Sequence, residues 1–124
     1  MLRLPPTVRI MLCLQPADMR RSFDGLCGMV QSILDESPTS GHLFVFRNRR
    51  CDRIKILWWD RDGFAIFYKR LERGTFHLPS LCPAGHPARV ELLPSDFAMI
   101  LEGFDLASVR KKRRFSAPIG GATG

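Results

Sequence analysis

Apolar and polar positions change period several times along the chain, and each change marks an element. Val8 to Leu14 is a short, mostly apolar run closed by Gln15-Pro16, which predicts a first strand. From Asp18 the spacing becomes helical. Met19, Phe23, Leu26, Val30, Ile33 and Leu34 recur at intervals of three and four, with Asp18 as the expected N-cap and Ser37-Pro38 as the stop. Gly25 and Gly28 sit three apart inside this element, each costing up to ~1 kcal/mol of helix propensity relative to Ala. Close approach of the helix to a sheet would compensate; a bend or break near Asp24-Gly25 is the alternative.

After a Ser40-Gly41 turn, His42 to Arg47 predicts a strand in which Leu43 and Val45 alternate with Phe44 and Phe46. Apolar residues on both faces are the mark of a central strand covered from both sides. The loop Asn48 to Asp52 leads into a strand from Arg53 to Asp60, and Asp62-Gly63 turns the chain into a second strand from Phe64 to Leu71, a strong hairpin signal. Glu72-Arg73-Gly74 turns into Thr75–Leu78, a candidate further strand, and residues 79–88, with three prolines, predict an irregular loop. Arg89 to Leu92 reads as extended. A second helix over Asp96–Glu102 is expected to begin at Pro94 or Ser95 and to be closed by Gly103. The expected fold is α+β: a small antiparallel sheet, one helix after the first strand, one C-terminal helix, and a disordered basic tail. One domain would cover residues 1–105, and the flexible tail 106–124.

Composition fits a folded chain. Of 124 residues, 45% are hydrophobic and nine are Phe, too rich in core-forming side chains for disorder. No run approaches the ~20 apolar residues that cross a bilayer, and Pro5-Pro6 interrupts any signal-like start, so a soluble cytoplasmic protein with no membrane association is expected. Cys13, Cys27, Cys51 and Cys82 contain no Cys-x-x-Cys pair and read as reduced thiols. Cys82 and His86, with His77 or Cys51, match no common zinc spacing, so neither metal nor cofactor is expected.

The net charge of +7 is unevenly spread. Residues 1–46 balance four basic against four acidic groups, whereas residues 47–73 carry nine against four, a net +5. Residues 74–105 carry one against four, and the last nineteen carry five basic groups and no acid. Two concentrations of positive charge make DNA a candidate partner, because each phosphate contact releases counterions.

On the hairpin, Ile54, Ile56 and Trp58 share a face with Ala65 and Phe67, an expected core face. Arg53, Lys55, Leu57 and Trp59 share the other with Ile66, Tyr68 and Arg70. Cations interleaved with aromatics can hold phosphates and stack bases; equally, such a face can be half buried, with basic stems laid over apolar neighbours. Arg47, Arg49, Arg50, Lys69 and Arg73 extend the candidate DNA-binding set, and the run Arg110, Lys111, Lys112, Arg113, Arg114 adds an arm for capture without sequence preference, or a handle for an acidic partner. Trp59 and Tyr68 are candidate protein-interface anchors.

Catalysis is not expected. Asp60 and Asp62 flank a tight turn, Asp18 has a capping explanation, and Glu72 lies in another turn, so no carboxylates are set out to converge on a metal. No phosphate loop, nucleophile elbow or His-x-x-x-His pair occurs, so no small-molecule substrate is indicated.

Several blocks carry a resemblance. Asp18-Met19-Arg20-Arg21-Ser22-Phe23-Asp24-Gly25-Leu26 resembles the opening signature of the TnpB accessory proteins of the insertion sequence 66 group, and Pro38-Thr39-Ser40-Gly41-His42-Leu43-Phe44-Val45-Phe46 resembles the next block. Asp52 to Asp60, Asp62-Gly63-Phe64, Tyr68 to Phe76 with Pro79, and Leu101-Glu102-Gly103-Phe104-Asp105 continue the likeness in the family's order. The resemblance covers about residues 1–105, and Leu93-Pro94 departs from its threonine-type helix start. It implies a non-catalytic accessory role in transposition. The implied partners are the element's transposase, its second accessory protein and the DNA of the element ends; a module that only docks on the transposase is the alternative. No catalytic residues are carried over from the family.

Overall fold

The alternation in the second strand is realised as a buried ladder through the middle of the molecule. In the computed structural model, which describes residues 7–79 and 88–102, seven elements follow one another: β1 (Ile10–Cys13), α1 (Phe23–Ser32), β2 (Leu43–Arg47), β3 (Arg53–Asp60), β4 (Gly63–Arg70), β5 (Arg89–Leu92) and α2 (Pro94–Leu101). The strands form one sheet in the order β4-β3-β2-β1-β5. The class is α+β, as the sequence predicts, and three of its four strand pairings are antiparallel. The fourth, β1 with β2, is parallel, with Ile10 opposite Leu43 and Leu12 opposite Val45. Having α1 as the connection between these strands allows that orientation, since parallel neighbours need a crossover of a dozen or more residues.

Because β2 and β1 are central, their side chains divide between two cores. Ile10, Leu12, Leu43, Val45, Ile54 and Ile56 pack with Phe76, Leu92, Phe97, Ile100 and Leu101 on one face. Met11, Cys13, Phe44, Phe46 and Leu57 pack with Leu26, Met29, Val30 and Leu34 on the other. The sheet is thus sandwiched between α1 and a layer of α2 with the Phe76 segment. The hairpin keeps the expected pairing of faces, with Trp58 opposite Ala65, Ile56 opposite Phe67, and Lys55 opposite Tyr68, but Phe67, expected in the core, is exposed on this edge strand. The two residues outside the ladder are Arg61 and Asp62 rather than Asp62-Gly63; Arg61 takes the positive φ, at 61°, and Gly63 pairs with Asp60.

Four local expectations change. The helix begins at Phe23, not at Asp18, and Ser22 occupies the cap position without a side-chain bond. It also ends earlier than Ser37-Pro38: beyond Ser32 the N–H groups of Leu34 and Glu36 reach back to the carbonyls of Met29 and Val30, and Asp35 adopts a φ of 57°. The helix runs unbroken through both glycines, yet neither brings it closer to the sheet. A Cβ on Gly28 would meet nothing within 4 Å, and one on Gly25 would meet only the Arg21 side chain. Thr75–Leu78 forms no strand; Phe76 is instead fixed by donating its N–H to the Cys51 carbonyl at 2.7 Å and by burial of its ring. Pro94 opens α2 as its first helical residue, while Gly103 and the basic tail lie outside the described residues.

Candidate nucleic-acid interface

Two of the motif-bearing segments meet at one end of the sheet, and side-chain chemistry shapes both. In the β2–β3 connection, Asn48 Oδ1 accepts the N–H groups of Asp52 and Arg53 at 3.1 and 3.0 Å, and its Nδ2 donates to Asp52 Oδ1 at 2.6 Å. That donation is the main reason the Asp52 carboxyl lies below its ordinary range. An asparagine side chain here stands in for backbone, which lets the loop turn tightly. Cys51 takes the left-handed conformation at φ 57°, and its N–H closes onto the Asn48 carbonyl at 3.1 Å. Arg49 and Arg50 occupy the exposed outer side of this tied loop.

The facing wall is the stretch before α1. Asp18 accepts the backbone N–H of Arg20 at 2.9 Å and its guanidinium at 2.7 and 3.1 Å, and the Asp18 carbonyl accepts the Arg21 N–H at 3.0 Å. The side-chain bonds from Arg20 are the largest cause of the drop in the Asp18 pKa to about 2. Asp18 therefore caps a turn, not a helix. Arg47 joins this wall to the sheet: its guanidinium donates to the Leu14 carbonyl at 2.5 Å and its own carbonyl accepts the Ala17 N–H at 2.8 Å.

Between the walls lies Tyr68, 46% exposed. Lys55 Nζ sits 4.8 Å from the centre of its ring and donates to the Arg21 carbonyl at 2.8 Å, while Arg53 Nη1 lies 3.4 Å from its hydroxyl. Ala17, Asp18, Met19, Arg20, Asn48, Arg49, Arg50, Arg53 and Tyr68 together line an open cleft of about 480 Å³. Four arginines and one aspartate give this lining a formal charge of +3.

The predicted cations separate by what they already hold. Among the described residues, Arg49 and Arg50 have no side-chain hydrogen bond or ion pair, and Arg53 has only the long contact to Tyr68. Arg47 and Lys55 are committed to backbone carbonyls, and Lys55 is only 8% exposed. Lys69 points to the opposite face, where it donates to the Leu101 carbonyl. Arg70 pairs with Glu72 at 3.0 Å, Arg73 is exposed outside the cleft lining, and Arg110–Arg114 lie outside the described residues. Trp59 is half buried, its ring edge-on to Phe64 at 5.0 Å. Sequence reasoning misses Arg20, because Asp18–Arg21 carries a helical period; the local signal is an Asp two residues before an Arg and four before Ser22.

Among the described residues no three His, Cys, Asp or Glu side chains come together. Cys82 and His86 lie outside those residues. Burial pushes the thiols of Cys13 and Cys27 up, which keeps both protonated near neutrality. No described helix is long and apolar enough to cross a membrane.

Against known proteins, residues 8–111 match the family described as IS66 Orf2 like protein, a span that contains both walls of the cleft. The chain belongs to the IS66 Orf2-like family. As an IS66 Orf2-like protein it is an accessory product of an insertion sequence. It is similar to two proteins of Sinorhizobium fredii (strain NBRC 101917 / NGR234), the uncharacterized proteins y4jC and y4hO. Identity to the first is 36% over 105 residues, covering 85% of this chain and 86% of y4jC. Identity to the second is 35% over 98 residues, covering 79% of this chain and 82% of y4hO. No solved structure matches this IS66 Orf2-like chain.

Proposed function

We propose that this IS66 Orf2-like protein is a non-catalytic accessory factor that holds DNA of the element ends in the Asp18–Arg53 cleft, in the bacterial cytoplasm and beside the nucleoid. The carrying observation is that Arg49 and Arg50, unpaired among the described residues, project from a loop fixed by Asn48 into the rim of a cleft that also contains Arg53 and Tyr68. Free guanidiniums on a rigid loop bind phosphate without first breaking an internal bond, and they lose little freedom in doing so. Of the carboxylates beside the cleft, Asp18 is engaged by Arg20 and Asp52 by Asn48, which suits a holding surface better than a cutting one. The basic run at Arg110–Arg114 would add capture without sequence preference. Amide chemical-shift mapping during titration with element-end duplex tests the assignment. Shifts confined to residues 18–21, 48–53 and the tail are expected; shifts confined to the tail would refute a role for the folded cleft.

Docking on the transposase or on the second accessory protein is a compatible second reading. Phe67 is 37% exposed on the face opposite Tyr68, which leaves an apolar contact free of the cleft. Co-purification with either partner that is lost in F67S but kept in R49A/R50A is the expected pattern; loss in R49A/R50A alone would move the docking surface to the cleft.

A further inference from the structure

We infer that the cleft takes an unpaired nucleotide, its base stacked on Tyr68 and its phosphate held by Arg49 and Arg50, so that the DNA it prefers has a single-stranded end or gap. This rests on the DNA-holding reading and goes beyond it, since the charge pattern alone fits any nucleic acid.

The reasoning starts from what a duplex can offer. Its bases stack on one another, so an aromatic side chain meets phosphate and sugar but no free base face. An unpaired strand exposes those faces, and base–aromatic stacking is tolerant of sequence. Among the described residues Tyr68 is the aromatic group that lines the cleft, and it remains 46% exposed although Lys55 lies 4.8 Å from its ring centre. Its position is fixed by its neighbours. It lies in the β3–β4 ladder directly opposite Lys55, whose ammonium is anchored on the Arg21 carbonyl, and its hydroxyl is within 3.4 Å of Arg53. The volume matters too. About 480 Å³ of open cleft is room enough for one nucleotide. A duplex would rest on the rim, where Arg49 and Arg50 could reach its phosphates and Tyr68 would contribute nothing.

Tyr68 therefore separates the two modes of binding. The experiment measures the affinity of the full chain for three labelled DNAs: a blunt duplex, the same duplex with a short unpaired overhang, and a single strand of mixed sequence. Wild type, Y68F, Y68L and R49A/R50A are compared, with circular dichroism confirming the fold of each. The overhang and the single strand should bind more tightly than the blunt duplex. Y68L, which keeps apolar bulk against the Lys55 stem, should weaken the unpaired substrates roughly 5- to 100-fold and leave the blunt duplex unchanged, while Y68F should behave as wild type. R49A/R50A should weaken all three. If blunt duplex binds as well as the overhang, or if Y68L weakens every DNA equally, the unpaired nucleotide is refuted and the DNA-holding reading survives. If wild type binds none of the three, both fall.

Discussion

Replacing Lys55 with Met should loosen the wall of the cleft without unfolding the sheet. Lys55 is a β3 residue whose Nζ crosses the start of α1 to the Arg21 carbonyl at 2.8 Å and lies 4.8 Å from the Tyr68 ring centre. A hydrogen bond from a charged donor contributes about 1.5–3 kcal/mol, and a cation over a partly exposed tyrosine about 0.5–1 kcal/mol more. Against these stands the cost of holding an ammonium that is only 8% exposed, which Met, with similar length and no charge, removes. Arg21 is exposed, so its carbonyl can turn to water once the donor is gone and suffers no buried vacancy. The balance is a loss of about 1–2 kcal/mol. Urea unfolding of K55M should show it as a lower midpoint with an unchanged slope, since the buried surface hardly changes. Hydrogen exchange should rise at Arg21–Leu26, the residues whose entry into α1 the lysine fixes, and remain unchanged in β1 and β2. An unchanged midpoint together with unchanged exchange at Arg21–Leu26 would refute the idea that Lys55 fastens the pre-helix wall.

Gly28→Ala should stabilise the protein by about 0.5–1 kcal/mol in a urea titration, because the added Cβ meets nothing and the helix gains propensity. Gly25→Ala should gain less or nothing, since its Cβ would come within 3.1 Å of the Arg21 Cβ; equal gains at both sites would contradict the crowding at Gly25. Phe46→Ala empties a fully buried site between β2 and α1 and should cost about 3–5 kcal/mol, measured the same way, whereas a cost under about 1 kcal/mol would show that this core is not closed. The Asp18 carboxyl, held near a pKa of about 2 by Arg20, contributes its stabilisation in full above the ordinary value of 3.8 and loses it as pH falls from there through 2. A carbon-detected NMR titration should place its midpoint near 2 and should return it toward 3.8 in R20A; a wild-type midpoint near 3.8 would remove the Asp18–Arg20 turn.

What the sequence shows well is local and periodic. Phe44, Val45 and their neighbours announce a strand buried on both sides, and the faces of the hairpin follow from parity once the turn is located. The turn itself lies one residue from where the pattern puts it: Arg61 takes the positive φ, and Gly63 already belongs to the ladder opposite Asp60. The start of α1 differs for a related reason. Met19 is apolar at helical spacing and packs against the α1 core, but it does so from a turn that Asp18 closes with its side chain. Non-local pairings have no signature at all. β5 lies beside β1 with Glu91 meeting Arg9 at 2.8 Å across the sheet surface, although 82 residues separate them in the chain. The same limit applies to the cleft. Arg49, Arg50 and Arg53 stand out as charge density, while Arg20 belongs to a segment of zero net charge and joins them only when β1, α1 and the β2–β3 loop are assembled. Burial also divides residues that look alike in sequence: Lys55 and Arg53 are two apart on one face, yet one fastens the fold and the other faces the cleft.

The decisive measurement is the affinity of the full chain for element-end duplex across a salt series, comparing R49A/R50A with wild type, both carrying Ala at Arg110–Arg114 so that the tail contributes nothing. If both arginines contact phosphate, the log–log salt slope should become shallower by about 1.8, and affinity at about 0.1 M salt should fall roughly 60-fold relative to a reference of about 1 M. Equal slopes and equal affinities for the two proteins would mean that the cleft does not hold DNA.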